Sequence, residues 1–328
     1  MTTAVLDANL PIDSNVPMWS QTRWNGCWNA EANVGIFVHA GCYRPDPRLW
    51  WVHQIVFLPE GKLVVQNYWT RNSSDAGVKT ELLDLEMTAT GWRSTYDGVG
   101  QLTSTAELIR AARGASAPWS RVSWDVTATD RTPAWQMYSS VDHQQDFATK
   151  LHMQQVFNTS GTLMFDGVEY PLEGIGFKDH SAGARTWESW NGHRFLIGTM
   201  PDYTIHAVTI VDAEGKTGTP FGSILSLDGG RSEVSVFDAE PLLDLSSDPV
   251  EKTIVVTGTQ GEPTTLKAEV LHAFPITITN DNENFSGVDW DAPGNPLVMF
   301  ECMVRLTDKN GNVGFAHFER SARRDSLR

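Results

Sequence analysis

The sequence predicts an all-β chain folded into two antiparallel barrel or sandwich domains. Three observations predict it. Short β-rich runs recur along the chain, separated by tight turns of Gly, Pro, Asn and Asp. Helical signals are scarce, so the spacing is that of antiparallel strands and not of alternating strands and helices. The two halves also share a pattern: a Trp-rich opening, then hairpins that turn on acid-Gly or Glu-Gly-Lys, as at Pro59-Glu60-Gly61-Lys62 and Asp212-Ala213-Glu214-Gly215-Lys216.

Taken in order, residues 1 to about 18 read as an irregular arm, because Pro11 and Pro17 with Asp13, Ser14 and Asn15 discourage regular structure. Val34–Tyr43 and Leu49–Leu58 read as strands. Pro59–Lys62 turns the second into Leu63–Trp69. Leu82–Thr88, Gly91–Tyr96 and Val122–Ala128 follow. Ser104-Thr105-Ala106-Glu107 is a capping box that opens a short helix ending at Gly114. Ser140–Asp146, which carries His143, is a second helical candidate. Phe147–Phe157 reads as a strand, Asn158–Gly161 as a turn, and Asp166-Gly167 as another turn into Val168–Leu172. The domain boundary is expected near here, giving domains of residues 1–155 and 156–328. Beyond it come Arg194–Met200, Ile205–Val211, Ile224–Leu227, Glu233–Asp238, Lys252–Thr257, Thr265–Phe274, Leu297–Thr307 and Val313–Glu319, then a basic tail.

Composition excludes several function classes. The chain has 328 residues, 41% hydrophobic and 20% charged, an ordinary globular balance and a length that favours about two domains. A net charge of −15 opposes nucleic-acid binding and an anionic membrane surface, since both need clustered Lys and Arg. No apolar run approaches 20 residues, so no membrane insertion is expected. Cys27, Cys42 and Cys302 are odd in number and widely spaced, and nothing at the start resembles a signal peptide. Both features point to a cytoplasmic location. The 13 tryptophans suit a packed core or an aromatic pocket equally.

One stretch gathers chemistry: Gly174-Ile175-Gly176-Phe177-Lys178-Asp179-His180-Ser181-Ala182-Gly183-Ala184-Arg185-Thr186-Trp187. As a strand it would put Asp179 and Ser181 on one face and His180 and Ala182 on the other. A bulge at a glycine would bring Asp179 and His180 together. An Asp beside a His suits proton transfer near neutral pH; the alternative is a polar turn in which Asp179 binds backbone amides. No His-x-His pair, phosphate-binding loop or Gly-x-Ser-x-Gly elbow occurs, so neither metal nor other cofactor is expected, and His180 with His193, or His39 with His53, would meet only through folding.

The segment resembles the Asp-His-Ser-Trp-Gly-Pro-Arg motif of the two-domain lipocalin-like family that includes carotenoid hydratase and kievitone hydratase. Gly174, Gly176, Asp179, His180, Ser181, Gly183 and Arg185 match; Ala182 replaces the usual Trp and Ala184 the frequent Pro. The run His152-Met153-Gln154-Gln155 followed by Asp166-Gly167 resembles the family's approach to this motif. The resemblance implies two packed lipocalin-like domains and a ligand cavity. It also implies acid-base chemistry on a hydrophobic terpenoid, polyketide-like or aromatic molecule: hydration, dehydration, cyclisation or isomerisation.

In that reading Asp179 is the acid, keeping its proton in an apolar site, and His180 is its partner or the base. Arg185, Trp187, Trp190 and His152 are candidates to bind substrate, and Asp289 and Glu301 are later acids able to contribute. The alternative is a lipocalin-like protein that binds such a molecule without changing it. The sequence sets neither substrate nor oligomeric state.

Overall fold

The computed structural model describes residues 7–327 apart from 17, 43–45, 113–117, 138–149, 188, 246–250, 260, 262 and 280–281. The helical candidate Ser140–Asp146 lies outside the described residues. The strands in chain order are β1 Trp19–Asn29, β2 Val34–Cys42, β3 Leu49–Phe57, β4 Lys62–Arg71, β5 Gly77–Lys79, β6 Leu83–Thr88 and β7 Gly91–Ser104. They continue with β8 Trp119–Asp130, β9 Trp135–Gln136, β10 Leu151–Phe165, β11 Val168–Pro171 and β12 Gly174–Ala184. The remainder are β13 Trp190–Thr199, β14 Tyr203–Asp212, β15 Phe221–Ser226, β16 Arg231–Ala239, β17 Lys252–Gly258, β18 Thr264–Ile278, β19 Asn284–Ser286, β20 Leu297–Asp308 and β21 Val313–Arg323. The capping box opens a helix as expected, Thr105–Arg110. None of the described helices is long and apolar enough to cross a membrane.

Two compact units result. The first is Met1–Ser104, Arg113–Thr186 and Asp281–Ser286; the second is Thr105–Ala112, Trp187–Asn280 and Gly287–Arg328. In the first, the order β10-β12-β1-β2-β3-β4-β7-β8 returns to β10, so the strands close a barrel without a free edge. In the second, β13-β14-β15-β16-β17-β18-β20-β21 returns to β13 in the same way. Every pairing with a described register is antiparallel, and each unit is a closed barrel, the lipocalin-like fold that the resemblance implies.

A division at residues 155/156 would cut through β10. That strand pairs with β12 without a break from Leu151 to Thr159, and with β8 from Phe157 to Phe165. Its two ends therefore belong to one sheet, and the first unit runs on to Thr186, taking the central motif with it. The turn expected at Asn158–Gly161 is likewise absent. Gly161 has φ +152°, and a Cβ there would lie 2.2 Å from the Asp125 carbonyl oxygen. The glycine serves a close strand approach inside β10 and not a chain reversal.

Each barrel is filled by one side of its strands. Cys27, Ile36, Val38, Ala40, Val52, Val56, Val64, Trp92 and Phe157 form the first core. Leu196, Ile254, Leu266, Phe300, Cys302, Val304 and Phe318 belong to the second. The three cysteines are buried and unbridged. β1 is buried along all its residues although half of them are polar. Both its inner and outer side chains are therefore enclosed, and each polar one requires a partner.

Candidate active site

β12 lies between β1 and β10, and register decides which of its residues meet. Asp179 stands opposite Trp24 and Gln154, His180 opposite Arg23 and Met153, Ser181 opposite Thr22 and His152. Neither ladder carries a bulge over these residues, so the strict alternation of a strand holds. Asp179 and Ser181 share the outer face with Thr22, Trp24 and His152. Lys178, His180 and Ala182 share the inner face with Arg23, Asn25 and Gln155.

The expected Asp179–His180 dyad is therefore not formed. Asp179 instead bonds His152, whose Nε2 lies 2.7 Å from Asp179 Oδ2. The pair is enclosed, with side-chain exposures of 6% for His152 and 13% for Asp179. Burial raises the Asp179 pKa, but the His152 ring, through charge and hydrogen bond, and the Arg185 guanidinium outweigh it and hold the carboxyl below its ordinary value. The shift favours the ionised carboxylate, contrary to the expected proton-holding acid, because the His152 hydrogen bond and the Arg185 guanidinium outweigh burial.

Beside this couple, Arg185 donates from Nη1 to Thr22 Oγ1 at 2.9 Å and from Nη2 to Ser181 Oγ, and the two hydroxyls are 3.1 Å apart. Buried aromatic rings occupy the same outer face of the strands. Trp24 stacks on Phe177 with centroids 6.1 Å apart and planes 10° apart, and touches Phe37 at 5.6 Å. Phe37 packs against His53 at 5.6 Å, and His39 against Trp51 at 5.0 Å. Gly41 makes room for the last contact, since a Cβ there would lie 2.1 Å from the Trp51 ring. Burial, with His39 nearby, holds His53 well below its ordinary pKa, and its Nε2 shares a 2.6 Å hydrogen bond with Ser286 Oγ. His39 and His53 are direct register partners.

On the inner face His180 takes a partner the sequence did not nominate. Asp7, from the expected irregular arm, is 1% exposed. Its carboxylate accepts from Arg23 Nη1 at 2.9 Å, Lys178 Nζ at 2.6 Å and His180 Nδ1 at 3.1 Å. Burial raises the Asp7 pKa, yet His180, Lys178 and Arg23 together hold it well below the carboxylate range. Burial and the Arg23 charge lower His180 to about 4 in spite of Asp7. Ala182, where the resemblance leads one to look for Trp, faces the barrel interior opposite Gln21 and Leu151, away from Asp179.

The remaining candidates belong to the second unit. Trp187 and Trp190 meet edge to face at 5.1 Å, and Trp190 lies 5.6 Å from the His193 ring. Arg323 fixes them by donating to the carbonyl oxygens of both. Strand pairing sets Glu319 between Glu301 and Phe195. His317 Nε2 lies 2.5 Å from Glu301 Oε2, and His193 hydrogen-bonds Glu319 and Ser321. Burial, and the neighbouring Glu319 carboxylate, raise Glu301 well above its ordinary value, while burial lowers His317 to about 4. These directions favour a protonated Glu301 carboxyl, hydrogen-bonded to Glu319 as well, beside a neutral His317 imidazole. Among the described residues the donor atoms of Glu301, His317 and Glu319 all lie within 4.8 Å of one another, the kind of set that can hold a metal. No sequence spacing signals it, because only the β20–β21 register assembles it. Asp289 is not part of this cluster; its backbone N–H donates to Thr277.

Residues 7–324 match the family described as a domain of unknown function, DUF7064. The chain belongs to that family. No curated protein matches the sequence. Among solved structures, this DUF7064 member is similar to NE1406 of Nitrosomonas europaea, a candidate AttH, with 13% identity and TM-score 0.62 over 95% of this chain and 94% of that one. It is similar to kievitone hydratase from Nectria haematococca, with 12% identity and TM-score 0.52 over 98% and 95%. It is also similar to CghA, with 10% identity and TM-score 0.56 over 93% and 88%. At these identities the likeness establishes the shared two-barrel fold.

Proposed function

We propose that this DUF7064 protein is an enzyme that moves a proton on a hydrophobic small molecule without a cofactor, as a hydratase, dehydratase, cyclase or isomerase. The observation that carries the proposal is the enclosed His152–Asp179 couple on the strand face that also holds the buried rings of Trp24, Phe177 and Phe37. An imidazole held by an ionised carboxylate is oriented for proton transfer. Aromatic faces beside it suit an apolar substrate and stabilise positive charge developing on carbon. Arg185, with Ser181 and Thr22, offers a guanidinium for a polar group of the substrate. The hydratase among the structures that share its fold supports the reaction class, and the three unbridged cysteines support a cytoplasmic setting.

In this reading Asp179 keeps a catalytic role, as orienting base instead of acid, and His152 moves from substrate binding to proton transfer. His180 leaves the reaction, since it faces the barrel interior. The test is turnover and ligand-bound crystallography with a panel of terpenoid, polyketide-like and aromatic candidates. A panel member transformed by the wild type and untouched by Asp179→Asn supports the proposal; equal turnover by both defeats it.

A second reading, a lipocalin-like protein that binds a hydrophobic molecule without changing it, is favoured by one observation: Arg185, Ser181 and Thr22 already satisfy one another. Binding of a panel member with no transformation by the wild type would select that reading.

A further inference from the structure

The interior of the first barrel contains more polar groups than it pairs. Asn25 and Gln54 are 1% and 3% exposed, and both carboxamides lack a hydrogen-bond partner among the described residues, as do Gln155 Oε1 and His180 Nε2. All four face inward. Asn25 is the register partner of Lys178 and Val38, Gln54 of Val38 and Gln66, and Gln155 of Lys178. Gln155, Asn25 and Gln54 lie in one row across the strands, with Lys178 between the first two and Val38 between the last two, and His180 lies in the adjoining row beside Arg23. Buried polar groups are ordinarily satisfied, so a set of open donors and acceptors points to a molecule that belongs there.

Charge points the same way. Arg23 and Lys178 are fully buried, and Asp7 is the one carboxylate hydrogen-bonded to both among the described residues. The exposed Asp130 lies within electrostatic reach of Lys178 and accepts from Gln155 Nε2, without bonding either cation. Asp7 comes from a segment outside the barrel strands, whose contacts with them are made by a few side chains. Asn9 follows it, accepting from Arg23 Nε and Gln21 Nε2. Beyond Asn9 a cavity of about 680 Å³ opens, lined by Leu10, Gln21, Trp50, Arg71 and Asn72 among others. The guanidinium–ammonium–imidazole cradle therefore lies one residue below an open volume.

We propose that the first barrel's interior is a binding site for a short hydroxy- or keto-carboxylate, whose carboxylate takes the place of Asp7 on Arg23 and Lys178 and whose second polar group is read by Asn25 and Gln54. Asp7 is the chain's own competitor for that site. The site is on the opposite face of β12 from Asp179, and its test is a binding measurement that does not depend on turnover.

The experiment uses the full chain and 4-hydroxybutyrate, with butyrate and chloride at matched ionic strength as comparisons. Asp7→Ala is expected to lower the melting temperature, and millimolar butyrate or 4-hydroxybutyrate to restore it saturably where chloride does not. By titration calorimetry 4-hydroxybutyrate should bind Asp7→Ala at least ten-fold more tightly than wild type, and more tightly than butyrate. Adding Lys178→Met should abolish binding, and adding Asn25→Leu should erase the preference for the hydroxyl. Asp7→Asn, which keeps the side chain's shape, provides the same comparison if Asp7→Ala does not fold. Failure of any carboxylate to restore or bind either Asp7 variant overturns the proposal, as does binding that survives Lys178→Met.

Discussion

His152 reaches across from β10 to place Nε2 2.7 Å from Asp179 Oδ2 on β12, although the two residues are 27 positions apart in sequence. Asp179's neighbour in sequence, His180, points to the other side of the same strand and meets Asp7. Two Asp–His pairs therefore back onto one another through β12.

This arrangement separates two variants that look equivalent in sequence. Asp179→Asn should leave the fold intact and reduce turnover by about 10²–10⁴-fold, the range for a lost acid–base group. His180→Gln should leave turnover within a few-fold of wild type and instead weaken stability by about 1–3 kcal/mol, the cost of disturbing a buried hydrogen-bond network. Turnover and denaturant titrations on both variants check this. A collapse of turnover in His180→Gln with Asp179→Asn unaffected would reinstate the sequence-based assignment.

Arg185 allows a sharper distinction between anchoring substrate and bracing the strand. Lysine keeps the charge and loses the planar fork that reaches Thr22 and Ser181 together. If the guanidinium holds a polar group of the substrate, Arg185→Lys raises KM roughly ten-fold with a smaller change in kcat. If it only braces β1 against β12, the melting temperature falls and KM stays put. Steady-state kinetics beside a thermal melt decides between them.

The fold was legible because strands and hairpin turns are local. Asp166-Gly167 with φ of 47° and 83°, and Glu60-Gly61 with 65° and 73°, take the left-handed angles that tight turns need, and the sequence marks both. The barrel boundary was not legible, because β12 completes the first barrel through its pairing with β1, which lies far off in sequence. The site was legible as a strand and not as a face. The motif picks out β12, but whether Asp179 meets His180 or His152 depends on whether a bulge interrupts the ladder, and none does. Asp7 carried no signal at all. Its Pro-containing surroundings read correctly as irregular, and its burial follows from Arg23 and Lys178, residues 16 and 171 positions away.

The buried histidines set an acid limit on stability. His180, His272 and His317 titrate at about 4 in the fold, each lowered chiefly by burial from 6.5. Between those values the unfolded chain takes up protons that the folded chain refuses. Their contribution is therefore full above about pH 6.5 and falls as pH drops toward 4, by roughly 3 kcal/mol at most for each histidine. Urea titrations between pH 7 and 4.5 should show this loss, and His272→Asn, which removes one titration, should flatten the curve. A stability unchanged over that interval would mean these imidazoles are not held neutral.

Glu301 imposes the opposite slope. Its carboxyl is raised well above 4.5 by burial and by Glu319, so the folded chain keeps a proton that the unfolded chain releases as pH rises. Its contribution is full below about pH 4.5 and is lost progressively toward the raised folded value. Glu301→Gln keeps the shape and the capacity to donate to His317 while removing the titration. The variant should therefore match or exceed wild-type stability at pH 8 and lose its advantage near pH 5. Should Glu301→Gln instead be several kcal/mol less stable at pH 8, with wild type restabilised by added zinc and destabilised by chelator, the Glu301–His317–Glu319 set would be acting as a metal ligand cluster and not as a shared-proton pair. Melts at both pH values, with and without chelator, separate the two outcomes, since a neutral carboxyl–imidazole pair needs no cation to remain buried.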